Sequence, residues 1–157
     1  MTNSTENLAY KNIKDRDKPN LKQVVDILKS HGLDVYISGS ALMVPEYSDI
    51  DLLICDPSFI IQGAANEKEF VMSPRAKTAI DQLIGQEGVN LKKQEHDYGG
   101  GYLGSEICGW RWEFDYKGTN IDISYAQEPF GLTREKIAKL VAKVGTELGL
   151  EPIYEKF

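Results

Sequence analysis

Apolar positions recur along the chain with two periods, and the changes between them lay out its elements. Leu21, Val24, Val25 and Leu28 fall at helical spacing behind a capping-box pattern of Asn20 and Gln23, and Gly32 supplies the stop, which predicts an amphipathic helix. Ser73 as N-cap and Pro74 as first helical residue open a second stripe of Ala76, Ala79, Ile80, Leu83 and Ile84. A third stripe, Ile137, Leu140, Val141, Val144 and Leu148, predicts a closing helix with Lys136, Lys139 and Lys143 on its wetter side.

Elsewhere the period is two. Trp110, Trp112, Phe114 and Tyr116 alternate with Arg111, Glu113 and Asp115, and after a turn over Lys117 to Asn120, Ile121, Ile123 and Tyr125 alternate with Asp122 and Ser124. That pattern predicts a hairpin with one buried face, where the aromatic stripe packs the core rather than stacking a base. Shorter strands are expected at Val35 to Ile37, Asp49 to Ile54 and Val89 to Glu95, and a helix start at Ala41 to Met43. Pro57 to Met72 reads as loop, and the glycine-rich stretch Gly99 to Gly104 as a mobile flap.

A chain of 157 residues fits a single core. The polar, charge-mixed beginning predicts a flexible segment over residues 1–18, with one domain over 19–157. The formal charge of -6 disfavours long nonspecific tracking along nucleic acid and leaves a protein, a small molecule or a short RNA end as partner. Cys55 and Cys108 are too few for a disulfide scaffold and are expected as buried thiols. With no apolar leader and no apolar run near the roughly 20 residues a bilayer needs, the expectation is a soluble, cytoplasmic protein without a membrane role.

Candidate chemistry concentrates between Val35 and Ile54. A strand runs into Ser38-Gly39-Ser40, and a second strand carries Asp49 and Asp51 one residue apart. Alternation projects both aspartates to one side while Ile50 and Leu52 enter the core. Two carboxylates so close repel unless a cation lies between them, and hard oxygen ligands suit magnesium, which keeps substrate phosphates and water in its coordination. Gly39 permits close backbone approach to a phosphate, and free N–H groups at the following helix start, with Ser38 and Ser40 beside them, are its expected donors. Gly99, Gly101 and Gly104 match GxGxxG without a strand-to-helix setting, and His31 and His96 lack partner spacing; none of these is assigned chemistry.

The sequence Gly39-Ser40, a spacer, then Asp49-Ile50-Asp51 resembles the signature of the DNA polymerase β-like nucleotidyltransferases, including their small stand-alone members. The resemblance implies an α/β (α+β) fold with a mixed, mostly antiparallel sheet flanked by helices. It implies an NTP donor, ATP being the expected one, two magnesium ions, and a third carboxylate on a later strand that completes the metal site and helps activate an acceptor hydroxyl. Asp122, between Ile121 and Ile123, is the expected third ligand; Asp115 is the competitor, set aside because it shares its face with Arg111 and Glu113. Small members of toxin–antitoxin pairs add AMP to proteins, so a partner subunit or toxin is a further expectation. The spacer from Ala41 to Ser48 holds no Arg or Lys, so the cation facing the phosphates is sought among Arg75, Lys92, Arg111 and Lys136.

Two other functions compete. A domain that kept this fold and lost turnover would bind nucleotide or partner without releasing pyrophosphate. A glycosyltransferase would use its DxD to hold a metal and a sugar nucleotide, which leaves the Gly-Ser turn without a task.

Overall fold

A computed structural model of the chain describes residues 8–38, 41, 44–58, 60–61, 72–97, 109–125, 128–129 and 154–157. The strands are β1 (Asp34–Ser38), β2 (Ile50–Cys55), β3 (Ile60–Ile61), β4 (Val89–Asp97), β5 (Gly109–Tyr116), β6 (Thr119–Tyr125), β7 (Glu128–Pro129) and β8 (Tyr154–Lys156). The helices are α1 (Lys18–Ser30) and α2 (Pro74–Ile84), preceded by a 3-10 turn at Leu8–Tyr10. The expected closing helix, the glycine-rich flap, Cys108 and Lys136 lie outside the described residues.

The described residues form a six-stranded sheet in the order β4-β5-β6-β2-β1-β8 and a two-stranded sheet of β3 with β7. In the larger sheet β2 and β6 run parallel and the other neighbours antiparallel, so the mixed, mostly antiparallel α+β architecture is present. Register explains the core. Val35 and Ile37 pair with Ile54 and Leu52, which pair with Tyr125 and Ile123, and Trp112 and Phe114 continue the row. This face is buried under Leu21, Val24, Val25 and Leu28 of α1 and Ala76, Ala79, Ile80 and Leu83 of α2. The alternate residues of the same strands point to the other face, and the candidate chemistry lies there.

The N-cap of helix α1 lies three residues ahead of the expected Asn20. Pro19 stands in its first turn, where no backbone donor is needed, and Asp17 is the N-cap without a side-chain capping bond. Its carboxylate is committed elsewhere, accepting from Tyr47 Oη at 2.5 Å and Thr119 Oγ1 at 2.8 Å. Asn20, freed from capping, donates to Thr119 Oγ1 at 2.9 Å. The C-terminus closes as expected: Gly32 takes φ +83°, its N–H bonds the Lys29 carbonyl at 2.9 Å, and the Leu33 N–H reaches the Leu28 carbonyl at 3.4 Å. His31 caps the helix and hydrogen-bonds Gln82 Oε1 of α2 through Nε2 at 2.7 Å.

Residues 9–17 depart from the expectation of a flexible segment. Ala9 and Ile13 belong to the core and Asp17 is 5% exposed, so from Ala9 onward the segment is packed rather than loose. Charge-mixed composition hid this, because Ala9 and Ile13 anchor the segment while Lys11, Asp15 and Arg16 face water.

Ser73 caps α2 as its sequence position suggests, with Oγ accepting from the Ala76 N–H at 3.0 Å and donating to Asp56 Oδ2 at 2.6 Å. The Tyr125 hydroxyl accepts from the Ser73 N–H at 3.2 Å, so the ends of β2 and β6 and the start of α2 meet there. The hairpin turn is tighter than expected: Lys117 and Gly118, both at positive φ, form a two-residue connection, and Thr119 and Asn120 belong to β6. Among the described residues no helix is long and apolar enough to cross a membrane.

Candidate metal centre

Parallel pairing of β2 with β6 decides the geometry of the site. Asp51 stands opposite Asp122 in that register, and Ser38, the last residue of β1, stands opposite Asp51 on the other side. Asp49 lies immediately before β2. Asp49, Asp51 and Asp122 each place a carboxylate oxygen within 4.8 Å of the others, a spacing fit for a cation. The donor set is all carboxylate oxygen, which suits a hard divalent ion such as magnesium over softer transition metals.

Electrostatics show the strain of the arrangement. Burial, the negative charges of Asp49 and Asp122, and a hydrogen bond with Asp122 push the Asp51 carboxyl from its ordinary value of 3.8 up to about 7. Burial and the carboxylates of Asp49 and Glu113 also raise Asp122, although the Arg111 guanidinium opposes them. Such crowding of like charges is relieved by a proton or by a metal ion.

Arg111, on β5, reaches into the cluster with Nη2 at 3.1 Å from Asp122 Oδ2. Its other contacts are Glu95 Oε1 and Glu113 Oε2, both at 3.5 Å. The other described candidate cations stand elsewhere: Lys92 donates to Asn120 Oδ1 at 2.8 Å, and Arg75 packs its guanidinium beside Gly32.

Asp115 does not join the triad. It lies at the turn end of β5, opposite Asn120, and its Oδ1 accepts the Gly118 N–H at 2.7 Å, so it serves the hairpin. Of the expected phosphate cradle, Ser38 ends β1 next to the triad, while Gly39 and Ser40 lie outside the described residues. Ala41 beyond them is helical and buried.

Tyr47 supports the site and escaped the sequence reading. It lies two residues before Asp49, donates to the buried Asp17 carboxylate, and accepts from the Lys14 N–H at 2.9 Å. The loop entering β2 is thereby tied to the packed N-terminal segment. No local signal marks it, since Asp17 is thirty positions away and the pair meets only in the fold.

No protein-family model matches the chain, and no curated protein matches it either. The geometry of the site and the resemblance of its motif therefore carry the functional argument.

Proposed function

We propose that the chain is a magnesium-dependent nucleotidyltransferase of the polymerase β-like type. It transfers an NMP, with ATP the expected donor, to a hydroxyl on a protein, a small molecule or an RNA end, and pyrophosphate leaves. One observation carries the reading: the register of β1, β2 and β6 sets the strand that leads into Gly39-Ser40, the Asp-x-Asp strand and the Asp122 strand side by side, with Ser38, Asp51 and Asp122 in one row. An arbitrary Asp-x-Asp on a surface strand has no reason to meet a third carboxylate from a strand about seventy positions later.

Asp49, Asp51 and Asp122 would hold two divalent ions. Such ions lower the pKa of the acceptor hydroxyl and offset the charge of the leaving pyrophosphate. The chain's own residues do the rest. Ile50 and Leu52, locked in the core, fix the β2 backbone so that Asp51 holds its direction, and Tyr47 holds the approach to Asp49. Asp122 faces the site from the side of β5 and is the carboxylate beside which the acceptor hydroxyl would lose its proton. Gly39 and Ser40, by their place after β1, would receive the donor phosphates.

The test is pyrophosphate release and label transfer from each of the four NTPs with magnesium, comparing wild type with Asp51→Asn in the presence of cell extract. Release by wild type and its loss in the variant is the expected result, and the labelled species identifies the acceptor class. Magnesium-dependent nucleotide binding with no release from any NTP would replace this proposal with a regulatory domain, a reading favoured by the spacer's lack of Arg and Lys. Transfer from a UDP-sugar alone would replace it with a glycosyltransferase.

A further inference from the structure

Among the described candidate cations the fold brings Arg111 to the triad, on the far side of the carboxylates from β1, the strand that leads into Gly39-Ser40. Across five strands the registers align Ser38, Asp51, Asp122, Glu113 and Lys93 in one row. Three carboxylates thus stand on consecutive strands about 4.8 Å apart, an arrangement that like charges destabilise. Arg111 lies two residues along β5 from Glu113, diagonal to Asp122 and opposite Glu95. Strand β1, which leads into Gly39-Ser40, is three strands from β5, about 14 Å away. The end of β1 and Arg111 therefore flank the carboxylates from opposite sides.

The contacts match a different task. The guanidinium meets Asp122 at 3.1 Å and Glu113 and Glu95 at 3.5 Å, so one planar group bridges three carboxylates on three strands. Asp122 is nearly enclosed, with 9% of its side chain exposed, whereas 43% of the Arg111 side chain is exposed. When an Asp122 oxygen turns to another cation, Glu95 and Glu113 still hold the guanidinium at the edge of the site.

We infer that Arg111 is a positioning residue: it aims Asp122, neutralises the carboxylate row when no metal is bound, and opposes by its charge the divalent cation that the triad takes. This inference rests on the metal-dependent transferase reading. It gives Arg111 a role in turnover and metal affinity and none in binding the donor's phosphates. A lysine would supply the charge without the bridging fork.

The experiment titrates manganese against the full chain, following free Mn2+ by electron paramagnetic resonance, for wild type, Arg111→Lys, Arg111→Met and Asp51→Asn. Steady-state pyrophosphate release with saturating metal accompanies it, and thermal melts check that each variant is folded. Removing the charge in Arg111→Met is expected to tighten Mn2+ binding about tenfold, the size expected for one screened unit charge beside a divalent ion. Arg111→Lys keeps wild-type Mn2+ affinity. Both variants lose roughly 10- to 100-fold in kcat through misplacement of Asp122, with KM for the NTP unchanged. Unchanged or weaker Mn2+ binding by folded Arg111→Met overturns the inference, as does a raised KM for the NTP with kcat retained. Failure of wild type to bind Mn2+ more tightly than Asp51→Asn overturns the metal-centre reading itself, a result distinct from either.

Discussion

Replacing Asp51 by Asn should stabilise the metal-free protein, and the size of the gain follows from the crowding of the triad. A rise in the folded protein from 3.8 to about 7 means that the ionised Asp51 carboxylate is opposed by about 4 kcal/mol at most, and by about 2–4 kcal/mol after solvent relaxation. The sign is set by proton binding. Between about pH 4 and pH 7 the folded state holds a proton on this carboxyl that the unfolded state has released, so wild-type stability falls as pH rises through that window. Below it the carboxyl is protonated in both states and the substitution changes little. The assay is thermal unfolding in EDTA at pH 4 and pH 8. At pH 8 the variant should melt roughly 5–15 °C above wild type, and at pH 4 the two should nearly coincide. Magnesium should raise the wild-type midpoint and leave the variant's unchanged, because the ion relieves the same repulsion and binds only the folded site. A variant that melts at or below wild type at pH 8, or gains equally at both pH values, would refute this account of the site.

Three further outcomes follow from contacts away from the triad. Ser73→Ala removes the α2 cap and a donor to the buried Asp56 carboxylate, and should lower stability by about 1–3 kcal/mol in urea unfolding. Burial would raise Asp56, but the Ser73 and Ser58 hydrogen bonds outweigh it and hold the carboxyl below its usual range; its stabilisation is present at neutral pH and lost as pH falls through that lowered value, so the Ser73→Ala deficit should shrink in acid. Tyr47→Phe strips one donor from buried Asp17 and should cost about 1.5–3 kcal/mol, with weaker Mn2+ binding as the loop before Asp49 loosens; wild-type affinity in a destabilised variant would separate that loop from the site. Gly32→Ala and Gly118→Ala both place a side chain at positive φ and should cost about 1 kcal/mol each; the new Cβ at position 32 meets only the flexible end of exposed Arg75, which can swing aside, so the two losses in thermal melts should be alike.

Local pattern by itself determined much of this protein. The stripe from Leu21 to Leu28, the Ser73-Pro74 start and the alternation from Trp110 to Tyr125 specify elements whose buried faces match expectation, because helix and strand periods depend on nearest neighbours along the chain. The Asp49 and Asp51 pair was also legible, since alternation turns both carboxylates away from the core, but alternation does the same for Asp115 and Asp122 and did not choose between them. Strand order was not. Only the fold decided that β6 lies parallel to β2 in a register that sets Asp122 against Asp51, that Asp115 is left at the hairpin turn, and that Arg111 stands diagonal to Asp122. The same holds for the docking of Ala9, Ile13 and Asp17, and for the bond from Tyr47 to Asp17. These relations join residues far apart in the chain through packing and register, and no local period carries a record of which strand becomes whose neighbour.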